Sequence, residues 1–240
     1  MQKSVSAGQT FQKLLLGLVA LVVIIAVLMG ITKLFSGRSA ANAAEPLIQL
    51  RAEHETQLTQ QGPSPQAGDA EMQTRFATNW LNFESDGRLL FGCLQLPEGD
   101  GPHPVVVYCH GGFAMGASDI DDVDPLLKAG YAVFVPAWRG ENGIAGIFEM
   151  FYGEVDDVIA AMEFLGRLPQ IDENAISLVG HSAGATLALL AVECSDLART
   201  VIACSPVVDM TKLVRLHGPE MYEEAPFDIE DTWETDLRSP

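Results

Sequence analysis

Through most of the chain apolar residues fall into short blocks separated by turn formers, and only near the N-terminus do they fuse into one long run. The globular pattern begins near Phe76. A strand over 79–84, a turn at Asp86-Gly87 and a second strand over 88–96 read as a hairpin, because Asp-Gly supplies the positive φ angles of tight hairpin turns. Val105 to Tyr108 is a continuous apolar run, the mark of a strand buried on both faces, and 131–136 is another. Between them 119–128 has helical spacing and ends at Gly130. Val155, Val158, Ile159, Met162, Phe164 and Leu165 recur at helical spacing over 154–168. A strand at 176–179, a helix after Ser182 and a strand at 200–203 follow. This alternation predicts an α/β fold, a mostly parallel sheet with helices on both faces and an antiparallel hairpin at its start.

The long run, Leu14 to Ile31, carries no charged side chain and is bracketed by Lys13 and Lys33. At 1.5 Å per residue it spans roughly 30 Å, the thickness of a bilayer core. The division this suggests is a short tail at 1–13, a transmembrane anchor at 14–35, a spacer at 36–75 and a globular domain at 76–240. An uncleaved anchor is favoured over a signal peptide, since the run is longer than a usual h-region and Ala41-Asn42-Ala43 lies far beyond its end. Lysines and arginines flank both sides, so the charge rule barely orients the helix; the short N-terminal tail points to an extracytoplasmic domain. The spacer is rich in Ala, Gln, Gly and Pro, with Gly62-Pro63-Ser64-Pro65 at its middle; only 47–58 has helical character.

A net charge of −18 excludes a nucleic-acid partner, because such a surface repels phosphates. Cys93, Cys109, Cys194 and Cys204 lack metal-ligand spacing and read as buried free thiols. The acidic residues of 220–236 lack the spacing of a calcium loop, so neither metal nor cofactor is expected. Oligomeric state leaves no trace in the sequence.

The candidate chemistry lies in Gly180-His181-Ser182-Ala183-Gly184, a G-x-S-x-G stretch between an apolar strand and a helix-like run. A serine on such a turn has strained backbone geometry and an exposed hydroxyl, while Gly180 and Gly184 let neighbouring backbone pass without a Cβ. Upstream, the buried strand ending at Tyr108 runs into Cys109-His110-Gly111-Gly112-Phe113. That turn can aim the Gly112 and Phe113 N–H groups, with the N–H of Ala183, at the oxygen of a tetrahedral intermediate. His110 and Gly111 shape the turn, and neither His110 nor His181 is expected to be the base.

With these motifs and Trp138-Arg139-Gly140-Glu141-Asn142-Gly143 after the next strand, the chain resembles the α/β-hydrolase superfamily. The nearest branches are the prolyl oligopeptidase-like and dienelactone hydrolase-like ones, and the likeness runs from about Asn79 to Pro240. It implies an eight-stranded sheet, Ser182 as nucleophile, and acyl transfer from a small ester or peptide to water through an acyl-enzyme. Members take their acid and histidine after later strands, in the order Ser, Asp, His. The chain therefore reads as a C-terminally truncated form lacking the last two strands, with the catalytic Asp and His expected beyond residue 240 and this chain alone inactive. His217 and Asp209 are weaker in-chain candidates, His217 reading as a surface histidine. Arg139 is expected to ion-pair with Asp156 or Asp157 rather than bind substrate. The competing reading is a catalytically inactive binding protein on the same scaffold, or a gene remnant.

Overall fold

The computed structural model of the chain describes residues 41–59, 70–218 and 225–240. Residues from Ala43 to Pro240 make one compact unit. A six-stranded sheet runs in the order β1-β2-β4-β3-β5-β6, with β1 at Trp80–Ser85, β2 at Arg88–Gln95, β3 at His103–Cys109, β4 at Ala132–Pro136, β5 at Ile171–His181 and β6 at Thr200–Cys204. β1 pairs antiparallel with β2, and β2 with β4, whereas the β3–β4, β3–β5 and β5–β6 pairs are parallel. The expected hairpin leading a mostly parallel sheet is thus present. Asp86 and Gly87 turn it with φ of 48° and 71°.

Every residue of β4 is buried, and Val105, Val106 and Val107 of β3 are buried too, so both faces of the sheet centre are covered. The covering helices include α5 (Gly153–Leu165) and α6 (Ala183–Cys194), which pack on each other and on the sheet. Gly184, Ala185, Ala188 and Ala191 are buried on α6 and bring its axis close to the strands. β6 ends the sheet among the described residues, and its side chains are exposed or half-buried.

Some elements depart from the sequence reading. The helix expected over 119–128 is two short ones, α3 (Ala117–Asp121) and α4 (Asp124–Lys128), because Pro125 opens the second and cannot sit inside a continuous turn. α5 stops at Leu165 with Gly166 as its cap, three residues short of the expected end. The described parts of the expected spacer are helical at α1 (Ala41–Glu53) and α2 (Ala70–Arg75) and hold to the domain. Leu47 and Met72 are buried in the core, Arg51 grips Asp156 of α5 through two bonds of 2.8 and 3.0 Å, and Leu58 bridges to Phe227. A few apolar anchors and polar pairs make this attachment, too few to mark the stretch as part of the domain in the sequence.

The expected transmembrane stretch at 14–35 lies outside the described residues, as does the tail before it. Among the described residues no helix is long and apolar enough to cross a membrane. All four cysteines are free thiols. Cys93 and Cys109 are buried, and burial pushes the Cys93 thiol up to about 12.

Candidate active site

β5 ends at His181 and α6 begins at Ala183, so Ser182 makes the whole corner. Its backbone has φ 53° and ψ −119°, a conformation L-residues hold only when their surroundings dictate it. Three bonds do so. The Ser182 N–H donates to Cys204 O at 2.9 Å, fastening the corner to β6, and Ser182 O accepts the Ala185 and Thr186 N–H groups at 3.0 and 3.3 Å. Serine at a helix start ordinarily turns its hydroxyl back to cap the first turn. Here no side-chain cap forms and the residue is exposed, which leaves the hydroxyl for other chemistry.

Both flanking glycines are required by packing. A Cβ on Gly180 would sit 2.6 Å from Ala185 Cα and closer still to Gly184 O; one on Gly184 would run into the Cys109 and His110 carbonyls. The second clash shows how tightly α6 lies on the end of β3. That contact sets the 110–113 turn beside the serine: a Cβ on Gly111 would lie 3.3 Å from Ser182 Cβ and 3.0 Å from His181 Nδ1. Gly112, at φ +78°, meets nothing within 4 Å and faces open space. Ala183 is the first residue of α6, so its N–H lacks an intrahelical acceptor.

The turn is held from behind. His110 is wholly buried, with Nδ1 3.1 Å from Gly111 O and Nε2 3.0 Å from Glu141 Oε1, and its ring stacks on Trp138 at 5.7 Å. The same Glu141 oxygen accepts the Trp138 N–H at 2.7 Å. Asn142 Nδ2 donates to Met115 O at 2.8 Å, and the half-exposed Phe113 ring meets Phe148 edge-on at 5.1 Å. Glu141, Asn142 and Phe148 are thus part of the site's support, and the sequence reading gave them no role. A carboxylate two residues beyond a strand-end arginine was the available signal, and it suits solvent equally well.

Arg139 takes the structural part expected for it. Its side chain meets Asp157 through Nε at 3.0 Å and Nη2 at 2.8 Å, and Glu149 at 3.2 Å, all buried. Asp157, not Asp156, is therefore its partner. Asp157 also accepts the Ser85 hydroxyl at 2.6 Å, tying β1 to α5. Glu154 is wholly buried and accepts the Glu149 and Phe151 N–H groups at 2.6 and 3.0 Å, steadying Met150 and Phe151 at positive φ. Asp209 caps α7 (Met210–His217) by accepting the Lys212 N–H at 2.8 Å, an occupation unlike that of a triad acid. Among the described residues no imidazole is hydrogen-bonded to the Ser182 hydroxyl. His110 is engaged as above, His54 stacks on Trp233 at 3.9 Å, and the His217 side chain is not described.

A parallel sheet whose strand-to-helix corner carries a strained, exposed serine beside a glycine turn is the architecture of α/β hydrolases. The family model described as "Alpha/beta hydrolase family" matches residues 106–239, and the chain belongs to that family. It is 26% identical over 128 residues to the uncharacterized peptidase YtmA of Bacillus subtilis (strain 168), covering 52% of this chain and 50% of that protein. The chain therefore matches about half the length of that curated relative. Among solved structures, the acylaminoacyl peptidase of Pyrococcus horikoshii shares the fold with a TM-score of 0.58 at 23% identity, over 68% of this chain and 28% of that one. The Pyrococcus furiosus esterase Pf2001 superposes with a TM-score of 0.54 at 18% identity, over 75% of this chain and 69% of its own.

Proposed function

We propose that the protein is a serine hydrolase in which Ser182 attacks the carbonyl of an ester or peptide bond and carries the acyl group until water releases it. The observation that carries this reading is the Ser182 corner itself, with φ 53° and a hydroxyl withheld from capping beside the 110–113 turn. In the step, Ser182 Oγ bonds to the carbonyl carbon as its proton passes to an imidazole base. The Ala183 N–H, with those of Gly112 and Phe113, receives the oxygen that becomes negative. Collapse expels the alcohol or amine, which takes that proton, and water repeats the sequence on the acyl-enzyme. No described imidazole is bonded to Ser182 Oγ, and the reading assigns the base to a histidine after the nucleophile and outside the described side chains, with its acid partner. A peptidase relative and an esterase neighbour leave both bond types within the proposal.

The apolar run at 14–31 supports a further part, that the enzyme is anchored by one N-terminal helix with its hydrolase domain extracytoplasmic. A fluorophosphonate probe on the membrane fraction tests both: it should label the wild type and not Ser182→Ala, and the labelled band should resist carbonate extraction. One observation favours a second reading, a non-catalytic binding protein: the Ser182 hydroxyl has no imidazole partner among the described residues. Absence of labelling in the natural full-length product would leave that reading standing.

A further inference from the structure

We propose that His110 is a positioning residue held as an imidazolium by Glu141, and that its Nδ1–H clamps the Gly111–Gly112 peptide so that the Gly112 N–H points at the oxyanion. This rests on the hydrolase reading for its consequence, but not for its geometry.

Both ring nitrogens of His110 face groups that only accept: Gly111 O at 3.1 Å from Nδ1, and Glu141 Oε1 at 3.0 Å from Nε2. A neutral imidazole has one N–H and could satisfy only one of them, leaving a lone pair against an oxygen. A proton moved onto Glu141 Oε1 would leave the same contacts paired, but that oxygen also accepts the Trp138 N–H at 2.7 Å, and a carboxylate accepts it more strongly than an acid hydroxyl does. Two donors on the ring satisfy every contact. Burial is the largest single effect on the ring and opposes the cation, but the charge and hydrogen bond of Glu141, from the loop after β4, the charge of Asp119 of α3 and the bond to Gly111 O together outweigh it and raise His110 above the ordinary histidine value. His181, the nearest other titratable ring to the turn, is exposed on the elbow.

The carbonyl of Gly111 and the N–H of Gly112 belong to one planar peptide unit and point in opposite directions. Fixing the first therefore aims the second. A Gly-Gly peptide needs such a clamp, because without side chains it can rotate between φ/ψ wells at little cost, and Gly112 sits at φ +78°. A cationic donor on the carbonyl also polarises the peptide, making its N–H the stronger donor.

Nitrogen NMR of the His110 ring in the full chain, together with the Gly112 amide resonance, tests this without any need for turnover. The wild-type ring should keep two protonated nitrogens over a pH range that reaches above the ordinary histidine midpoint of about 6.5, with a steady Gly112 amide. In Glu141→Gln the ring should lose a proton within that range and the Gly112 amide should move with the same midpoint. Fluorophosphonate labelling of Ser182 in that variant should slow at least about ten-fold above the midpoint, toward the cost of a lost oxyanion donor. A singly protonated wild-type ring, or a Gly112 amide indifferent to ring deprotonation, overturns the proposal. If Glu141→Gln does not fold, the wild-type ring spectrum decides alone. A wild type that never labels sinks the hydrolase reading and leaves the ring result to judge the clamp.

Discussion

Gly180→Ala isolates the packing that makes the elbow. Gly180 lies in β5 at an ordinary strand conformation, so adding a methyl group creates no backbone strain of its own, only collision. The new Cβ would stand 2.6 Å from both Ala185 Cα and Gly184 C, against the roughly 3.5–4.0 Å that carbon atoms need. The obstacles are backbone of the first turn of α6 and cannot rotate aside. Either α6 or β5 must shift by about 1 Å, which places the cost at the upper end of overpacking, about 3 kcal/mol. For a domain of this size that lowers Tm by about 6–12 °C. The same shift moves Ser182 against the 110–113 turn, and a 1 Å misplacement costs about 100-fold in reactivity. Thermal melts and fluorophosphonate labelling rates of the natural full-length product in mild detergent measure the two effects. Gly166→Ala is the control, since its Cβ would meet nothing nearer than 3.6 Å; it should be neutral or stabilise by about 0.4–1 kcal/mol. A Gly180→Ala protein that melts within about 2 °C of wild type and labels at the same rate would refute the packing argument.

Arg139→Ala should cost about 3–5 kcal/mol in denaturant titration, because it strands Asp157 and Glu149 in the interior; a loss under about 1 kcal/mol would mean water reaches them. Burial pushes the Glu154 carboxyl up to about 8, aided by the charges of Glu149 and Asp157. Since that stands above the unfolded value of about 4.3, folding favours the neutral acid. This contribution is full below about pH 4 and fades as pH rises through about 8. Tm measured from pH 5 to 9 should therefore fall more steeply in wild type than in Glu154→Gln, and parallel slopes would show that Glu154 does not titrate there. Arg51→Ala removes an ion pair whose Asp156 end is 47% exposed, so the global loss should stay near or below about 1 kcal/mol. Hydrogen exchange at Gln57 and Thr59, whose amides bond to Glu234 and Pro226, should nevertheless quicken; unchanged exchange there would show that Arg51 does not help hold residues 57–59 to the domain.

The fold was legible wherever one strong local signal decided an element. Val105 to Val107 and Ala132 to Pro136 are unbroken apolar runs that only a doubly covered strand accommodates, and Asp86-Gly87 permits few structures but a tight turn. The site was legible for the same reason: its chemistry is backbone chemistry, and glycine is the residue that reports backbone. A Cβ is excluded at Gly180 and Gly184 and crowded at Gly111, and Gly112 sits at positive φ. Side-chain support was not legible. Glu141 and Glu154 are carboxylates whose burial depends on which amides fold over them, and a sequence shows Glu in the same way whether it faces water or two N–H groups. Pro125 was a visible break that helical spacing overrode. Met72 was a single apolar residue in a polar stretch, and Leu47, Ile48 and Leu50 make too short a group for period to say what they pack against.

Positive-φ residues recur at one end of the parallel strands. Gly112 follows β3 at φ +78°, Gly140 follows β4 at +77°, Ser182 follows β5 at 53° and Ser205 follows β6 at 59°, so each of the four mutually parallel strands delivers its chain into a positive-φ residue just past its carboxyl end. A parallel sheet needs none of this to turn its chain around; a looser loop would serve at lower cost. Strain of about 1–3 kcal/mol at a non-glycine position persists only where the surroundings over-determine it. Here they do. The Cys204 carbonyl, immediately before Ser205, holds the Ser182 N–H, and Thr186 of α6 exchanges bonds of 2.8 and 3.1 Å with Val207, immediately after Ser205-Pro206. The corners after β5 and β6 therefore brace each other, as the corners after β3 and β4 do through His110 and Glu141. Carboxyl ends of parallel strands are where α/β sheets place their ligands. If that bracing serves Ser182, Thr186→Val should slow fluorophosphonate labelling several-fold beyond any effect of its stability loss. If it serves only the fold, labelling should be unchanged once compared at equal distance below Tm.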